Sequence, residues 1–322
     1  MGEMAKSIGE KLESFSGGVL LPNFGWQQLL NDLEIKCSRS SHKNSKFKNK
    51  KTHGIDLLCK YFDPYINSHS AVIIECKNRQ MNSITAHSVN EWLSELINNI
   101  ECAQSAPELK ASNVDAYILS TGLLIIHAND DKYDEQQIDK ILRGISVQSR
   151  RNPINIFIAS NREINMWSSL FLAIKNDFTH DGFDYLYPSI DGYSKILSKH
   201  VTINSLFSKF IFAHHKCEVD YKDDKVKGKK EEMSSVLFSF DDVSADSFRY
   251  LWSMFKAFQM EGSDYYIFYF YPRKTEDVQM LTSENFLGAI EQNGKITEST
   301  KKKINVKILD NRSLSPVYTI KG

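Results

Sequence analysis

The stretch HGIDLLCKYFDPYINSHSAVIIECKNR, residues 53–79, decides how this chain of 322 residues folds. Its composition predicts two β-strands, over residues 54–61 and 70–77, joined by a short turn-like segment. The second strand is a continuous apolar run that ends abruptly in charged residues. Such a run is typical of a strand that is buried on both faces. We therefore expect its charged end to emerge at the edge of a sheet or inside a cleft.

Three charged residues stand where these two strands could present them together. Asp56 lies early in the first strand, and Glu75 and Lys77 lie at the end of the second. Because strand side chains alternate, Glu75 and Lys77 share one face and Cys76 points to the other. Two carboxylates favour Mg²⁺ or Mn²⁺, with the backbone carbonyl of Cys76 as a further oxygen ligand. Such a cation activates water for phosphodiester hydrolysis, while Lys77 would orient that water and stabilise the transition state.

Helical and strand patterns alternate on both sides of this pair of strands. The alternation predicts an α/β layer structure whose strands are partly parallel. The expected elements are a helix over 24–35, a helix over 86–104, a strand over 114–127, a helix over 134–147, a strand over 154–160 and a helix over 162–176.

Changes in composition predict four segments in the chain. Residues 1–22 are expected to be a loosely ordered lead-in, and residues 23–215 the main domain, with residues 181–212 helical or irregular. A charged linker is predicted over residues 216–232, because it contains the run YKDDKVKGKKEE. Residues 233–322 are predicted to form a smaller α+β domain that serves assembly or substrate selection.

A basic segment precedes the first of the two strands. Seven basic residues and no acidic one occur between Ile35 and Ile55, although the whole chain has 40 basic and 40 acidic residues. Local segregation of charge can create a surface that follows phosphates, and a plain solvated loop is the alternative. The candidate nucleic-acid contacts are Lys43, Lys46, Lys48, Lys50, Lys51 and, beyond the triplet, Arg79.

The cysteines and the hydropathy pattern limit the class of protein. Five cysteines occur at wide spacing with no C-x-x-C pair, which is neither a disulfide framework nor a structural zinc signature. No apolar run has the length of a signal peptide or a membrane span. A cytoplasmic protein is expected.

His53, directly before the first strand, could assist substrate binding. A lone histidine at such a position is more often structural.

Residues 20–165 resemble the PD-(D/E)xK, or restriction-endonuclease-like, nuclease superfamily. The resemblance rests on Gly54-Ile55-Asp56, on Glu75-x-Lys77 after an apolar strand, and on the helix–strand unit that follows. It implies a mixed sheet flanked by helices, with Asp56, Glu75 and Lys77 as catalytic and metal-binding residues. Many members also carry a glutamate on the first helix, and the matching position here is Gln27.

The resemblance implies a Mg²⁺-dependent endonuclease that acts on nucleic acid, with DNA favoured. The sequence contains no G-x-x-x-x-G-K-[ST] motif, so any gating must come from another chain. The architecture is similar to effector subunits of bacterial anti-phage defence systems, which implies a co-encoded partner subunit, a homodimer, or both. Two alternatives stay open: a nuclease that cuts RNA such as tRNA with the same site, and a non-catalytic scaffold that binds nucleic acid or a partner. If the triplet has no function, Glu75 and Lys77 are a solvated strand end and Asp56 caps a turn.

Overall fold

A computed structural model describes most of the chain in two compact units. The described residues are 12–43, 48–110, 117–147, 153–188, 195–220, 228–292, 294 and 296–311. Lys46, one of the candidate nucleic-acid contacts, lies outside them. The first unit is formed mainly by Met1–Ile164 and the second by Asn165–Val317. No helix among the described residues is long and apolar enough to cross a membrane.

The first unit is built on a five-stranded mixed sheet with the order β1-β2-β3-β4-β5. The pairs β1–β2 and β2–β3 are antiparallel, whereas β3–β4 and β4–β5 are parallel. The strands are β1 Gln27–Lys36, β2 Thr52–Asp63, β3 Ser68–Arg79, β4 Ile118–Ala128 and β5 Asn155–Ala159.

Helices lie on both faces of this sheet. On one face, α1 approaches β2 so closely at Gly17 that an added Cβ would lie 3.2 Å from Leu57 Cδ2. On the other face, α2 lies over Gly122, where an added Cβ would lie 2.8 Å from Ile100 Cδ1. The helices of the first unit are α1 (residues 12–15, continued by the π-helical turn Ser16–Leu20), α2 Ala86–Ala103, α3 Pro107–Lys110 and α4 Glu135–Arg143. Helix α5, Asn161–Asp177, begins at the end of this unit and lies mostly in the second.

The packing of α2 follows directly from its sequence. Thr85 caps the helix by accepting a hydrogen bond from the Ser88 amide, in a capping box. Apolar residues at helical spacing then face the sheet and remove their surface from water. The buried residues of this contact include Val89, Leu93, Leu96 and Ile100 from α2, Ala71 and Ile73 from β3, and Leu124 from β4.

The helix predicted over residues 24–35 is wrong, because these residues enter the edge strand β1. A register shift between Gln28 and Leu30 interrupts the alternation of that strand. Leu29, Leu30 and Leu33 therefore pack against the same core although their spacing is helical rather than alternate. The lead-in predicted over residues 1–22 is also wrong in part, since residues 12–20 are helical and Leu12 and Leu20 are buried.

The other elements predicted up to residue 176 are confirmed to within a few residues, except that residues 114–116 of the strand predicted over 114–127 lie outside the described residues. The mixed sheet flanked by helices is the fold expected from the resemblance. The observed order of helix, three strands, helix and strand places Asp56 and the Glu75–Lys77 triplet on adjacent strands.

The second unit contains a six-stranded mixed sheet with the order β11-β10-β9-β8-β6-β7. Helices α7 and α9 cover it with an aromatic core that includes Phe248, Trp252, Phe255 and Phe286. The strands are β6 Phe183–Pro188, β7 Lys195–Ser198, β8 Phe210–Asp220, β9 Lys229–Ser239, β10 Tyr265–Phe270 and β11 Ile304–Ile308, and the helices are α6 Ile203–Leu206, α7 Ala245–Ala257, α8 Thr275–Met280, α9 Ser283–Glu291 and α10 Glu298–Lys303.

The observed division of the chain differs from the predicted boundary at residues 216–232. Strands β8 and β9 pair continuously from Phe210↔Ser239 to Asp220↔Lys229, so residues 216–220 and 229–232 belong to a hairpin, and residues 221–227 lie outside the described residues. Ion pairs cross this hairpin, with Lys216 3.2 Å from Glu231 and Glu218 3.3 Å from Lys229. A solvated hairpin and a linker share the same charged composition, which explains the error. Residues 181–212, predicted to be helical or irregular, contain β6, β7, α6 and the start of β8.

Candidate active site

The sheet of the first unit brings Asp56 beside the end of β3. The antiparallel register pairs Leu57 with Ile74, and one further step sets Asp56 opposite Glu75. Asp56 Oδ2 accepts a hydrogen bond from the backbone N–H of Cys76 at 2.8 Å. This bond fixes the carboxylate at the point where the apolar part of β3 gives way to charged residues.

Glu75 and Lys77 lie on the same face of β3, as the alternation of a strand predicts. Lys77 Nζ donates to Glu75 Oε1 and forms an ion pair with it. The face is the one covered by α2, because Ile73 on the same side of the strand packs into the α2 core. Only 5% of the surface of Glu75 is exposed, so the carboxylate is held inside the protein beside its lysine.

Burial dominates the electrostatics of the three residues. It raises the pKa of Glu75 to about 7, with Lys77 opposing the shift and Asp56 adding to it. Burial also raises the pKa of Asp56. For Lys77, burial favours the neutral amine, but the charges of Glu75 and Asp56 outweigh it and the pKa is raised. At neutral pH Lys77 is thus an ammonium, and Glu75 is partly protonated.

One oxygen of this buried group has no partner among the described residues. Glu75 Oε2 is buried and accepts no hydrogen bond, although Oε1 is bonded to Lys77. An unsatisfied carboxylate oxygen in an interior is costly unless a cation or donor meets it. The oxygens of Glu75 and Asp56 form a hard donor set of the kind that Mg²⁺ and Mn²⁺ prefer. The residues present therefore fit a divalent cation.

Two further acidic residues surround this pair, and the sequence analysis missed both. Asp32 on β1 lies opposite Asp56, because the register pairs Asn31 with Leu57 and Leu33 with Ile55. Glu95 projects from α2, and its charge, like that of Asp32, raises the pKa of Asp56. Asp32 could not be placed from the sequence, since a helix was predicted where β1 lies.

The comparison with known families identifies this arrangement. Residues 1–163 match the model of the GAPS4 protein PD-(D/E)XK nuclease domain. The chain belongs to this family. The match ends one residue before Ile164, where the first compact unit ends, so the nuclease domain and that unit coincide. No curated protein matches the sequence.

Gln27 does not occupy the first-helix position of the PD-(D/E)XK domain, and the reason is its secondary structure. It begins strand β1, opposite Lys60 and five residues from Asp32, which is roughly 17 Å along a strand. The first helix is α1, and it carries Glu13. Burial raises the pKa of the Cys76 thiol, and the charges of Asp56 and Glu13 raise it further. Glu13 is therefore within electrostatic reach of the end of β3.

The basic segment folds back on itself between β1 and β2. The Cys37 amide donates to the Lys51 carbonyl at 2.8 Å, and the Lys50 amide donates to the His42 carbonyl at 2.9 Å. Lys50 Nζ lies 3.8 Å from Glu95 Oε1, which connects the segment with the acidic residues around Asp56. The remaining candidate contacts that the structure describes are exposed, namely Lys43, Lys48, Lys51 and Arg79.

His53 is not available to a substrate. Its side chain is 0% exposed, and its Nε2 lies 3.3 Å from His42 Nδ1. Of the two roles predicted for His53, substrate binding is therefore wrong and the structural one agrees with its burial.

Proposed function

We propose that the first unit is a metal-dependent endonuclease that hydrolyses phosphodiester bonds in nucleic acid. Asp56, Glu75 and Lys77 would be its catalytic residues. The observation that carries this proposal is the buried oxygen Glu75 Oε2, which has no hydrogen-bond partner and belongs to the same acidic pair as Asp56. A plain solvated strand end would have no reason to bury such a group.

Asp56 and Glu75 would hold Mg²⁺ or Mn²⁺, with the backbone carbonyl of Cys76 as the proposed third oxygen of the protein. The cation, when bound, lowers the pKa of water and offsets the charge that develops on the phosphate. The hydrogen bond from the Cys76 amide orients Asp56 for this task. It holds Oδ2 in place, so Oδ1 is the oxygen left for the cation. Glu13, Asp32 and Glu95 are candidates for further acidic members of the site.

Lys77 would act through its charge. The raised pKa keeps it protonated, so it serves as a hydrogen-bond donor rather than as a general base at neutral pH. Its contact with Glu75 holds the ammonium beside the acidic pair. A donor at this position can orient the attacking water and stabilise negative charge on the phosphate oxygens in the transition state.

The substrate is proposed to be DNA, approached along the basic segment between β1 and β2. Lys50, paired with Glu95, supports the closeness of this segment to the acidic residues. RNA cleavage by the same site is the alternative. The defence association of the family supports a role in anti-phage defence together with a co-encoded subunit or as a homodimer.

The test compares cleavage by the wild-type chain, Glu75→Gln and Lys77→Ala, each with its candidate partner protein. Supercoiled plasmid, linear DNA and total RNA are incubated with Mg²⁺, with Mn²⁺, or in resin-treated buffer without either ion. We expect the two variants to lose about a hundredfold or more in rate, as when a transition-state group is removed. Glu91→Gln on the exposed face of α2 and Lys110→Ala on α3 are the matched controls and should cleave normally.

Equal cleavage by Glu75→Gln and the wild type would exclude the proposed site. If the wild type cuts RNA alone, the proposed substrate becomes RNA instead of DNA. If the wild type cuts none of the substrates with its partner and either metal ion, the catalytic proposal fails and the scaffold remains.

A further inference from the structure

Four side chains, three from residues 37–53 and one from α2, meet at one end of the sheet in the first unit. Cys37 follows β1, His42 lies in the basic segment, His53 belongs to β2 and Cys102 lies near the end of α2. The atoms Cys37 Sγ, Cys102 Sγ and one ring nitrogen of each histidine all lie within 4.8 Å of one another. His53 and Cys102 are 0% exposed, His42 is 3% exposed and Cys37 is half-buried, so the cluster is enclosed by protein except at Cys37.

Four of the six distances within this cluster are close to those of a coordination tetrahedron, and His53 lies within 4.8 Å of both sulfurs. Around a tetrahedral zinc ion with ordinary bond lengths, two sulfurs lie about 3.8 Å apart, a sulfur and a nitrogen about 3.6 Å, and two nitrogens about 3.3 Å. The two sulfurs here are 3.9 Å apart. His42 Nδ1 lies 3.5 Å from each sulfur and 3.3 Å from His53 Nε2.

The groups behind these four atoms also suit a metal centre. His42 turns its other nitrogen, Nε2, to the carboxylate of Glu101 at 2.9 Å, which leaves the lone pair of Nδ1 directed into the cluster. The backbone amide of Ser38 donates to Cys102 Sγ at 3.4 Å, a bond that favours a thiolate. Cys37 Sγ lies 3.4 Å from the Arg39 carbonyl, a weak thiol bond that a thiolate gives up.

We propose that Cys37, His42, His53 and Cys102 bind one structural Zn²⁺ ion. Two thiolates and two neutral imidazoles cancel the charge of the ion, so the centre can be buried without a net charge. Four protein ligands fill the coordination shell and leave no position for a substrate, which marks the site as structural rather than catalytic. Sulfur and imidazole ligands also distinguish it from the carboxylate pair at Asp56 and Glu75, which suits Mg²⁺.

The zinc ion would fasten the basic segment to the sheet. Its ligands come from both ends of that segment and from α2, so one ion connects β1, β2 and the helix that carries Glu95. Asn99 Nδ2 donates to the Gly54 carbonyl at 2.7 Å and joins the same helix to β2 one turn before Cys102. The lysines of the segment would then be held in place beside the active site rather than on a free loop.

A disulfide between Cys37 and Cys102 is the main rival. It requires the sulfurs to approach to about 2.05 Å, whereas they are separated by 3.9 Å and all the cysteines are free. A disulfide would also leave His42 and His53 facing one another with no role. A purely hydrogen-bonded cluster is the second rival, and metal analysis separates it from the zinc site.

The experiment measures zinc by mass spectrometry in the full-length chain, purified without chelator. We expect about one zinc ion per chain in the wild type and a loss of at least fivefold in Cys102→Ser and in His53→Ala. Cys217→Ser in the second unit is the matched cysteine control and should keep its zinc. Glu75→Gln should also keep its zinc, so failure of the nuclease proposal and failure of the zinc proposal are distinguishable.

A second measurement uses the wild type alone, so that it does not depend on whether the variants fold. In the native wild-type chain, a mercurial that titrates thiols should release the zinc, and the release should coincide with modification of Cys37 and Cys102 in peptide maps. A native chain without zinc, even after dialysis against Zn²⁺, would overturn the proposal. So would a Cys37–Cys102 disulfide, or zinc released without modification of these two cysteines.

Discussion

Glu75→Gln is expected to abolish activity and, at the same time, to stabilise the first unit above neutral pH. Burial raises the pKa of Glu75 from its ordinary value of 4.5 to about 7, so the folded protein resists the ionisation that the unfolded chain undergoes freely. The wild type consequently loses stability, relative to a neutral side chain at this position, as the pH rises from about 4.5 to about 7. Glutamine has nearly the shape of the protonated acid and never ionises.

The magnitude follows from the size of the pKa shift. A difference between 4.5 and about 7 corresponds to about 3 kcal/mol at ~1.4 kcal/mol per pH unit. Lys77 and Asp56 readjust when the charge is removed, so we expect a gain of about 1–3 kcal/mol in the free energy of unfolding at pH 8. Below pH 4.5 the gain should vanish, because Glu75 is then protonated in both states.

The assay is urea unfolding, monitored through the hydrogen exchange of peptides from β2 and β3. Total tryptophan fluorescence is unsuitable, because Trp26 and Trp92 report on the first unit and Trp167 and Trp252 on the second. Free Mg²⁺ is removed with a chelating resin added before the protein, since EDTA would also extract the proposed zinc. Glu91→Gln, an exposed glutamate, should show no such pH dependence.

A Glu75→Gln variant that is no more stable than the wild type at pH 8 would refute the reasoning. The same conclusion follows if the difference is equally large at pH 4. Either result would mean that burial does not raise the pKa of Glu75 in the metal-free protein.

Three other predictions follow from the same geometry. Mn²⁺ affinity should rise by up to tenfold per pH unit until about pH 7 and then level off, because the cation must displace the proton held by Glu75; calorimetry that shows a flat profile would contradict this. Gln27→Ala should leave the cleavage rate unchanged, whereas Glu13→Gln should slow cleavage about tenfold or more if α1 supplies an acidic member of the site. Slower cleavage by Gln27→Ala and normal cleavage by Glu13→Gln would instead support Gln27 as that member. Changing Lys43, Lys48 and Lys51 to alanine should reduce the slope of log affinity for DNA against log salt by up to about 2.7, and an unchanged slope would mean a plain solvated loop. The control set for charge is Lys110, Lys132 and Lys140, all exposed.

The central part of the fold could be predicted because its signals are local. The apolar run before Glu75 and the amphipathic pattern of α2 each express one periodicity over a sufficient length. The alternation of β3 correctly placed Glu75 and Lys77 on one face, where they form an ion pair. The relation of Asp56 to the triplet then followed from two adjacent strands.

The remaining features depend on contacts that no local pattern records. The bulge in β1 gave Leu29, Leu30 and Leu33 a helical spacing within a strand. The zinc ligands Cys37 and Cys102 are 65 residues apart and His42 and His53 are eleven apart, so the sequence has no short pair of two cysteines or two histidines at metal-binding spacing. Glu95 lies on the exposed side of α2, and nothing in the sequence around it indicates that it is close to Asp56 and Glu75.

The most direct test of the central claim is a Mn²⁺ titration of the full-length chain, because cation binding requires neither the right substrate nor a partner. At pH 8 we expect the wild type to bind Mn²⁺ and both Asp56→Asn and Glu75→Gln to bind it at least tenfold more weakly, with the zinc content unchanged. Exposed Glu91→Gln should bind as the wild type does. Equal Mn²⁺ affinity in all four proteins would show that Asp56 and Glu75 are not a metal site, and the proposed nuclease centre would have to be abandoned.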